Sequence, residues 1–196
     1  EGTSYANVTI PYYDLPNNTM RENIIGLDAS AYNMENGKMV RTKMKKDMIF
    51  KERLSENQMT LKFSIPQVKA GTLIEYEYRL ESDFFFTIDS WKAQSDIPTL
   101  YTEYDIIIPE YFKFNTDMRG MESLETKSES TSLSLSIGGQ FFQCTGSHMN
   151  FRGTQLPALK DDSYVWCADD YCTQVNLELL GIDFPGSLYQ SFTKSW

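Results

Sequence analysis

The chain has 196 residues, 41% of them hydrophobic, which is enough to build a core and excludes an intrinsically disordered protein. Its formal net charge of -9 argues against nucleic-acid binding, because phosphate contacts depend on clustered Lys and Arg. No apolar run approaches the ~20 residues that cross a bilayer, so no membrane span is expected in this segment.

Strand patterns dominate the N-terminal part. Residues 7–13 are rich in β-formers, and Asn36-Gly37 stands between two apolar stretches, which predicts a β-hairpin. The basic run at residues 41–46 is expected to be a solvated strand edge, because charges on an edge oppose pairing with other chains. Residues 20–25 and 44–54 could each hold a helical turn or two, although neither has a sustained apolar stripe.

The clearest alternation lies in the middle of the chain. Residues 72–80 alternate apolar and charged side chains, which predicts a strand with one buried face. Gly71 predicts a turn that joins this strand to an earlier one at residues 61–65. Residues 101–108 are rich in β-formers and predict a further strand.

Strand patterns continue toward the C-terminus. The polar stretch 121–131 indicates either a mobile loop or a polar strand edge. A second hairpin is predicted across Gly138-Gly139, and a last strand at residues 173–179. The whole pattern predicts an all-β fold: an antiparallel β-sandwich with many short strands and little helix, forming a single domain over residues 1–196.

The sequence offers no convincing catalytic set. His148 is the only histidine, and Cys144 is the nearest thiol. Four residues of extended strand would hold the two side chains about 13 Å apart, which is too far for an activated Cys–His pair. No catalytic residue is therefore expected.

The remaining cysteines, Cys167 and Cys172, leave more than one interpretation open. A zinc site would need four ligands, and too few other Cys and His residues exist to complete it, so neither a metal nor a cofactor is expected. A disulfide between Cys167 and Cys172 would suit an exported protein. Unpaired buried thiols are the favoured alternative.

Aromatic residues form the last candidate site. Phe84, Phe85, Phe86 and Trp91 could line a docking surface or a carbohydrate-stacking groove, and the alternative is a sandwich core. Three consecutive phenylalanines cannot all face one side of a strand. At least one is therefore expected to be exposed, where it would mark an interface, or to be covered by another element.

Several motifs, taken in their order and spacing, resemble a bacterial family of domains of unknown function. The motifs are YNMENGK at 32–38, GTLIEYEY at 71–78, Trp91 with QSDIP at 94–98, YTEY at 101–104 and IPEYF at 108–112. Members of that family stand N-terminal to a transglutaminase-like domain in exported proteins.

The resemblance implies a β-sandwich accessory domain of unknown biochemical role, located in the periplasm or at the cell surface. Residues 156–196 are expected to be an exit segment toward the C-terminal domain, which would be the partner within the same polypeptide. The catalytic Cys, His and Asp of that domain would lie beyond Trp196. A protein or glycan ligand bound through exposed aromatics is the alternative role.

Overall fold

The computed structural model describes residues 2–15, 20–137, 140–160 and 166–192. The chain divides into two compact units, Glu1–Phe85 and Phe86–Trp196. Helix in the described residues is limited to short 3₁₀ segments, and every strand pairing is antiparallel. The all-β antiparallel prediction is confirmed, while the single domain over residues 1–196 stays a prediction.

Six strands lie in the part of the first unit that the structure describes. They are β1 (Asn7–Tyr13), β2 (Glu22–Glu35), β3 (Lys38–Lys43), β4 (Ile49–Arg53), β5 (Gln58–Ser64) and β6 (Leu73–Ser82). They form two three-stranded sheets, with the orders β1-β5-β4 and β3-β2-β6. The 3₁₀ segments Gly2–Ala6 and Lys46–Met48 precede β1 and β4.

Both sheets of the first unit contribute to one hydrophobic core. Leu61 and Phe63 of β5 are buried together with Ala29 and Ala31 of β2. The small side chains of β2 leave room for the larger ones of the facing sheet. Phe63 also packs edge-on against Tyr76 of β6, with ring centroids 5.8 Å apart. The first unit thus has two packed layers, whereas the sequence predicts one sandwich over residues 1–196.

Local turn chemistry explains the chain reversals of this unit. Asn36 and Gly37 have φ values of 50° and 76°, as a tight hairpin turn requires, and they join β2 to β3 as predicted. Gly71 has a φ of 84° and precedes β6. The helical turn considered for residues 20–25 is wrong, because β2 begins at Glu22 and pairs with β6.

Strand β6 has the predicted alternation but not the predicted burial. Its apolar side chains lie on the face of the sheet that carries buried Ala29 and Ala31. Yet Tyr76, Tyr78 and Leu80 remain 45%, 44% and 40% exposed. Because β6 is the outer strand of its sheet, the core covers this face only in part.

The second unit has seven strands in its described residues. They are β7 (Trp91–Lys92), β8 (Thr99–Pro109), β9 (Phe112–Arg119), β10 (Glu125–Ile137), β11 (Gln140–Leu156), β12 (Gln174–Ile182) and β13 (Gln190–Ser191). One sheet has the order β10-β11-β8. In the other, β12 pairs with β7, β9 and β13.

The second predicted hairpin is confirmed, since β10 and β11 pair from Ile137 and Gln140 onward. Gly138 and Gly139, between them, lie outside the described residues. The polar stretch 121–131 is largely strand, because β10 begins at Glu125 and forms the outer strand of its sheet. Of the two interpretations of this stretch, the polar edge is therefore the correct one there.

The predicted exit segment supplies a structural strand. Val175, Leu177 and Leu179 of β12 are buried, on the face that the sequence predicts. Residues 161–165 and 193–196 of this segment lie outside the described residues. Because β12 lies at the centre of its sheet, residues 174–182 are part of the second unit.

Thr173 joins three segments of the second unit just before β12. Its side chain accepts a hydrogen bond from the Glu122 N–H at 2.9 Å, and its own N–H donates to Gln94 Oε1 at 3.0 Å. Gly120 packs against it with a φ of 111°, and a Cβ added there would lie 2.3 Å from Thr173 Cα. Only glycine fits this close approach without displacing backbone.

None of the helices in the described residues is both long and apolar enough to span a bilayer.

Candidate functional site

The four candidate aromatic residues divide into two exposed and two packed side chains. Phe85 and Phe86 lie in a turn after β6 and are 53% and 46% exposed. Phe84 is half-buried and packs edge-on against Tyr13, with centroids 6.0 Å apart. The exposed pair offers a large apolar contact area on the surface.

Trp91 is a packing residue of the second unit. It stacks on Tyr104 with ring centroids 5.4 Å apart and an angle of 16° between the planes. Tyr104 in turn stacks on Phe151, which is buried. Burial raises the pKa of Tyr104 above its usual value. Much of Trp91 is therefore engaged in packing within its own unit.

The three cysteines carry free thiols in the structure. Cys144 and Cys172 are buried, and Cys167 is exposed. The Cys172 thiol points toward backbone carbonyls, with Sγ 3.6 Å from Thr173 O and 3.9 Å from Gln94 O. Cys167 and Cys172 flank the 3₁₀ segment Ala168–Tyr171. A disulfide between them stays a prediction.

His148 belongs to a polar cluster on the sheet of β8, β10 and β11. Its Nε2 lies 2.8 Å from Asp105 Oδ1 on β8, and its Nδ1 lies 3.2 Å from Glu129 Oε1 on β10. Asn150 donates to both Glu103 and Asp105, at 2.7 Å and 3.0 Å. The histidine therefore ties the central strand of this sheet to both neighbours.

The neighbouring carboxylates set the charge of this histidine. Hydrogen bonds to Asp105 and Glu129 raise the pKa of His148 above its usual value. Hydrogen bonds from Asn150 and His148 lower the pKa of Asp105. Two carboxylate partners favour the imidazolium form, in which both ring nitrogens donate. A histidine held in this way is poorly suited to act as a general base.

Sequence reasoning missed this cluster, because its members come from three strands. The sequence signal that could have indicated a polar cluster is the alternation of polar side chains along β8 and β11. Glu103 and Asp105 share one face of β8, while His148, Asn150 and Arg152 share one face of β11. The spacing predicts a polar face, but only the strand register shows which side chains meet.

The second unit also contains an open cleft of about 540 Å³. Its lining includes hydroxyl side chains of β10 and β11, among them Ser128, Ser130 and Ser147. Phe112 and Phe114 of β9 contribute aromatic surface. Such a lining offers hydrogen-bond donors and acceptors together with apolar area, and Glu110, Lys113 and Glu129 add charged groups.

Within the described residues, no group of three or more His, Cys, Asp or Glu side chains is arranged to hold a metal ion.

One family model matches the chain. It is described as "Domain of Unknown Function with solved-structure structure (DUF3857)", and the match covers residues 1–137. Neither the curated proteins nor the solved structures contain a match to this chain. The matched region ends with β10, so β11 and β12, which complete the sheets of the second unit, lie outside it.

Proposed function

The chain belongs to the DUF3857 family of domains of unknown function, and from that premise we propose that it is a non-catalytic accessory domain that docks onto a downstream transglutaminase-like domain of the same polypeptide. We also propose that this polypeptide is a bacterial protein exported to the periplasm or the cell surface. It rests on the motif resemblance at residues 32–112 and on the exposed surface of Phe85 and Phe86, called the phenylalanine turn below.

The environment of the only histidine supports the non-catalytic part of the proposal. Both ring nitrogens of His148 face carboxylates rather than a nucleophile. Cys144 is buried, and it lies on β11 opposite Leu133. A Cys–His enzyme needs a thiol and an imidazole within hydrogen-bond reach. Any transglutaminase-like activity is then proposed to belong to the downstream domain.

The observation that carries the docking part is the exposure of Phe85 and Phe86. About half of each side chain is accessible in this structure, at 53% and 46%. Adjacent exposed aromatics provide contact area at a low cost in side-chain entropy, and apolar patches of this kind often mark interfaces. A covering partner would remove this surface from water.

Calorimetry of the longer polypeptide, including the domain after Trp196, tests the proposal. Docked domains unfold in a coupled transition, because each stabilises the other. The paired substitution Phe85→Ser with Phe86→Ser is expected to split that transition. Phe50→Ser is the matched control, since Phe50 is also exposed but lies on β4. Equal behaviour of the pair and the control would remove the phenylalanine turn as the docking site.

A glycan ligand is the second candidate, and the cleft of the second unit favours it. Hydroxyl groups of Ser128, Ser130 and Ser147 with the rings of Phe112 and Phe114 provide polar and stacking contacts suited to a sugar. A glycan array followed by calorimetry identifies any ligand.

Two variants then locate a bound glycan. Ser130→Val removes a cleft hydroxyl, and the pair Phe85→Ala with Phe86→Ala removes the exposed aromatics. Weaker binding by one variant alone assigns the site to the cleft or to the turn. No binding by the unsubstituted chain to any glycan on the array would dispose of this candidate.

A further inference from the structure

Strand β6 leaves one edge of its sheet open. It pairs with β2 on one side, and no strand in the described part of the chain pairs with its other side. Free N–H and C=O groups along such an edge are a template for an added strand. β6 runs for ten residues without Pro or Gly, so its backbone accepts pairing along its whole length.

The other outer strands of the first unit carry features that oppose such pairing. β1 contains Pro11, β3 carries Lys38, Arg41 and Lys43, and the five-residue β4 carries Lys51 and Arg53. Proline and lysine are common devices that protect sheet edges. β6 has a single basic residue, Arg79. It is therefore the least protected long edge of this unit.

The partly covered apolar face of β6 adds a reason for pairing. Tyr76, Tyr78 and Leu80 keep 40% or more of their surface exposed although they lie on the core side of the sheet. A strand added at this edge would place its own side chains beside them. Cross-strand aromatic pairs are among the favourable contacts in a sheet.

We propose that β6 pairs in antiparallel fashion with β6 of a second copy of this chain, around a two-fold axis at Glu77. In this register Glu75 of each copy lies opposite Arg79 of the other, which forms two attractive pairs. On the core side, Tyr76 lies opposite Tyr78, and Ile74 lies opposite Leu80. The edge is thus complementary to itself in both charge and apolar pattern.

Charge selects this register over its neighbour. A two-fold axis at Glu77 gives two attractive pairs between Glu75 and Arg79 and one repulsive pair between the Glu77 residues of the two copies. An axis at Tyr78 keeps two attractive pairs between Glu77 and Arg79 but adds two repulsive pairs between Glu75 and Glu81. The axis at Glu77 therefore has the better charge balance.

A charge swap tests the proposal by sedimentation equilibrium of the 196-residue chain. The unsubstituted chain is expected to dimerise in the micromolar range. Arg79→Glu turns both attractive pairs into repulsive ones, and cross-strand energies predict a dissociation constant about tenfold higher. Adding Glu75→Arg to that variant restores both pairs with reversed sign, so dimerisation is expected to return.

Two controls separate the edge contact from effects within one copy. Glu75 Oε2 accepts a hydrogen bond from the Tyr32 hydroxyl at 2.7 Å, so Glu75→Arg also removes this bond. Tyr32→Phe removes the same bond without changing the charge of β6, and dimerisation should persist. A swap of the Glu52–Lys62 ion pair, on β4 and β5, should also leave dimerisation unchanged.

Cross-linking tests the register directly. In a Cys167→Ser background, Glu77→Cys places two thiols opposite each other at the proposed axis, within reach of a disulfide. Glu81→Cys is the control, because its proposed neighbour is Leu73. A monomeric unsubstituted chain, a dimer indifferent to Arg79→Glu, or equal cross-linking at positions 77 and 81 would each overturn the proposal.

Discussion

Gly120 is predicted to be one of the least replaceable residues of the second unit. Its φ of 111° is rarely adopted by residues with a side chain, and an added Cβ would lie 2.3 Å from Thr173 Cα and 2.5 Å from Thr173 N. Gly120→Ala must therefore displace backbone rather than a flexible side chain. The displaced residue is Thr173, whose hydrogen bonds hold Gln94 and Glu122 in place.

The expected destabilisation has two parts. Forcing alanine into the left-handed helical region costs roughly 1–2 kcal/mol, and the φ of 111° at Gly120 lies beyond that region, so its conformational cost is at least as large. Overpacking against fixed atoms costs about a further 1–3 kcal/mol. Gly186 separates these contributions, because it has a φ of 80° but nothing within 4 Å of an added Cβ. Gly186→Ala should therefore show the conformational part alone, and Gly120→Ala both parts.

Urea denaturation followed by tryptophan fluorescence measures the two free energies of unfolding. Trp91 and Trp166 lie in the second unit, and residues 1–85 contain no tryptophan, so the signal reports on the second unit. If Gly120→Ala and Gly186→Ala lose the same free energy of unfolding while its slope against urea concentration is unchanged, that result refutes the argument from close approach.

Two further predictions concern titration and thiol reactivity. An NMR titration of His148 should give a pKa above about 6.5, and Asp105→Asn or Glu129→Gln should lower it. Because the folded-state pKa of His148 is raised, its interactions with Asp105 and Glu129 stabilise the fold fully below the unfolded-state pKa. This stabilisation is lost as the pH rises through the folded-state pKa. A folded-state pKa at or below the unfolded-state value would contradict the prediction. In thiol labelling of the native chain, exposed Cys167 should react quickly, and buried Cys172 only after unfolding. A native chain with neither thiol reactive, and with a mass lower by two hydrogens, would instead show the disulfide.

Sequence reasoning succeeded where structure is determined locally. The Asn36-Gly37 turn requires positive φ at both residues, and few other dipeptides adopt it easily. The alternation along residues 173–179 identified the buried face of β12, because a strand alternates its side chains between two faces. These features depend only on neighbours in the chain.

Burial along β6 could not be predicted in the same way. The alternation of Tyr76, Tyr78 and Leu80 indicates a core-facing side correctly, but an outer strand is covered only as far as the opposite sheet extends. Strand order is a non-local property, and no spacing within residues 73–82 contains it. Because strand order is hidden from local spacing, the sequence predicts one fully buried face for β6.

The candidate functional residues also divide into local features, which the sequence predicts, and contacts between strands, which it does not. Three consecutive phenylalanines imply that at least one is either exposed or covered by another element, and Phe85 and Phe86 are both exposed. Trp91 lies on β7, which pairs with β12, and Tyr104 lies on β8, which pairs with β11 in another sheet. Because their stacking joins two sheets, the sequence alone could not distinguish packing from binding. The carboxylate partners of His148 come from β8 and β10 and were equally hidden.

Hydrogen–deuterium exchange tests the proposed accessory role most directly. The comparison is between this chain alone and a longer polypeptide that includes the proposed downstream transglutaminase-like domain. If Phe85 and Phe86 dock onto that domain, amides of residues 83–90 should exchange more slowly in the longer polypeptide, while those of the outer strand β10 should not change. Equal exchange of residues 83–90 in both polypeptides would contradict the docking proposal.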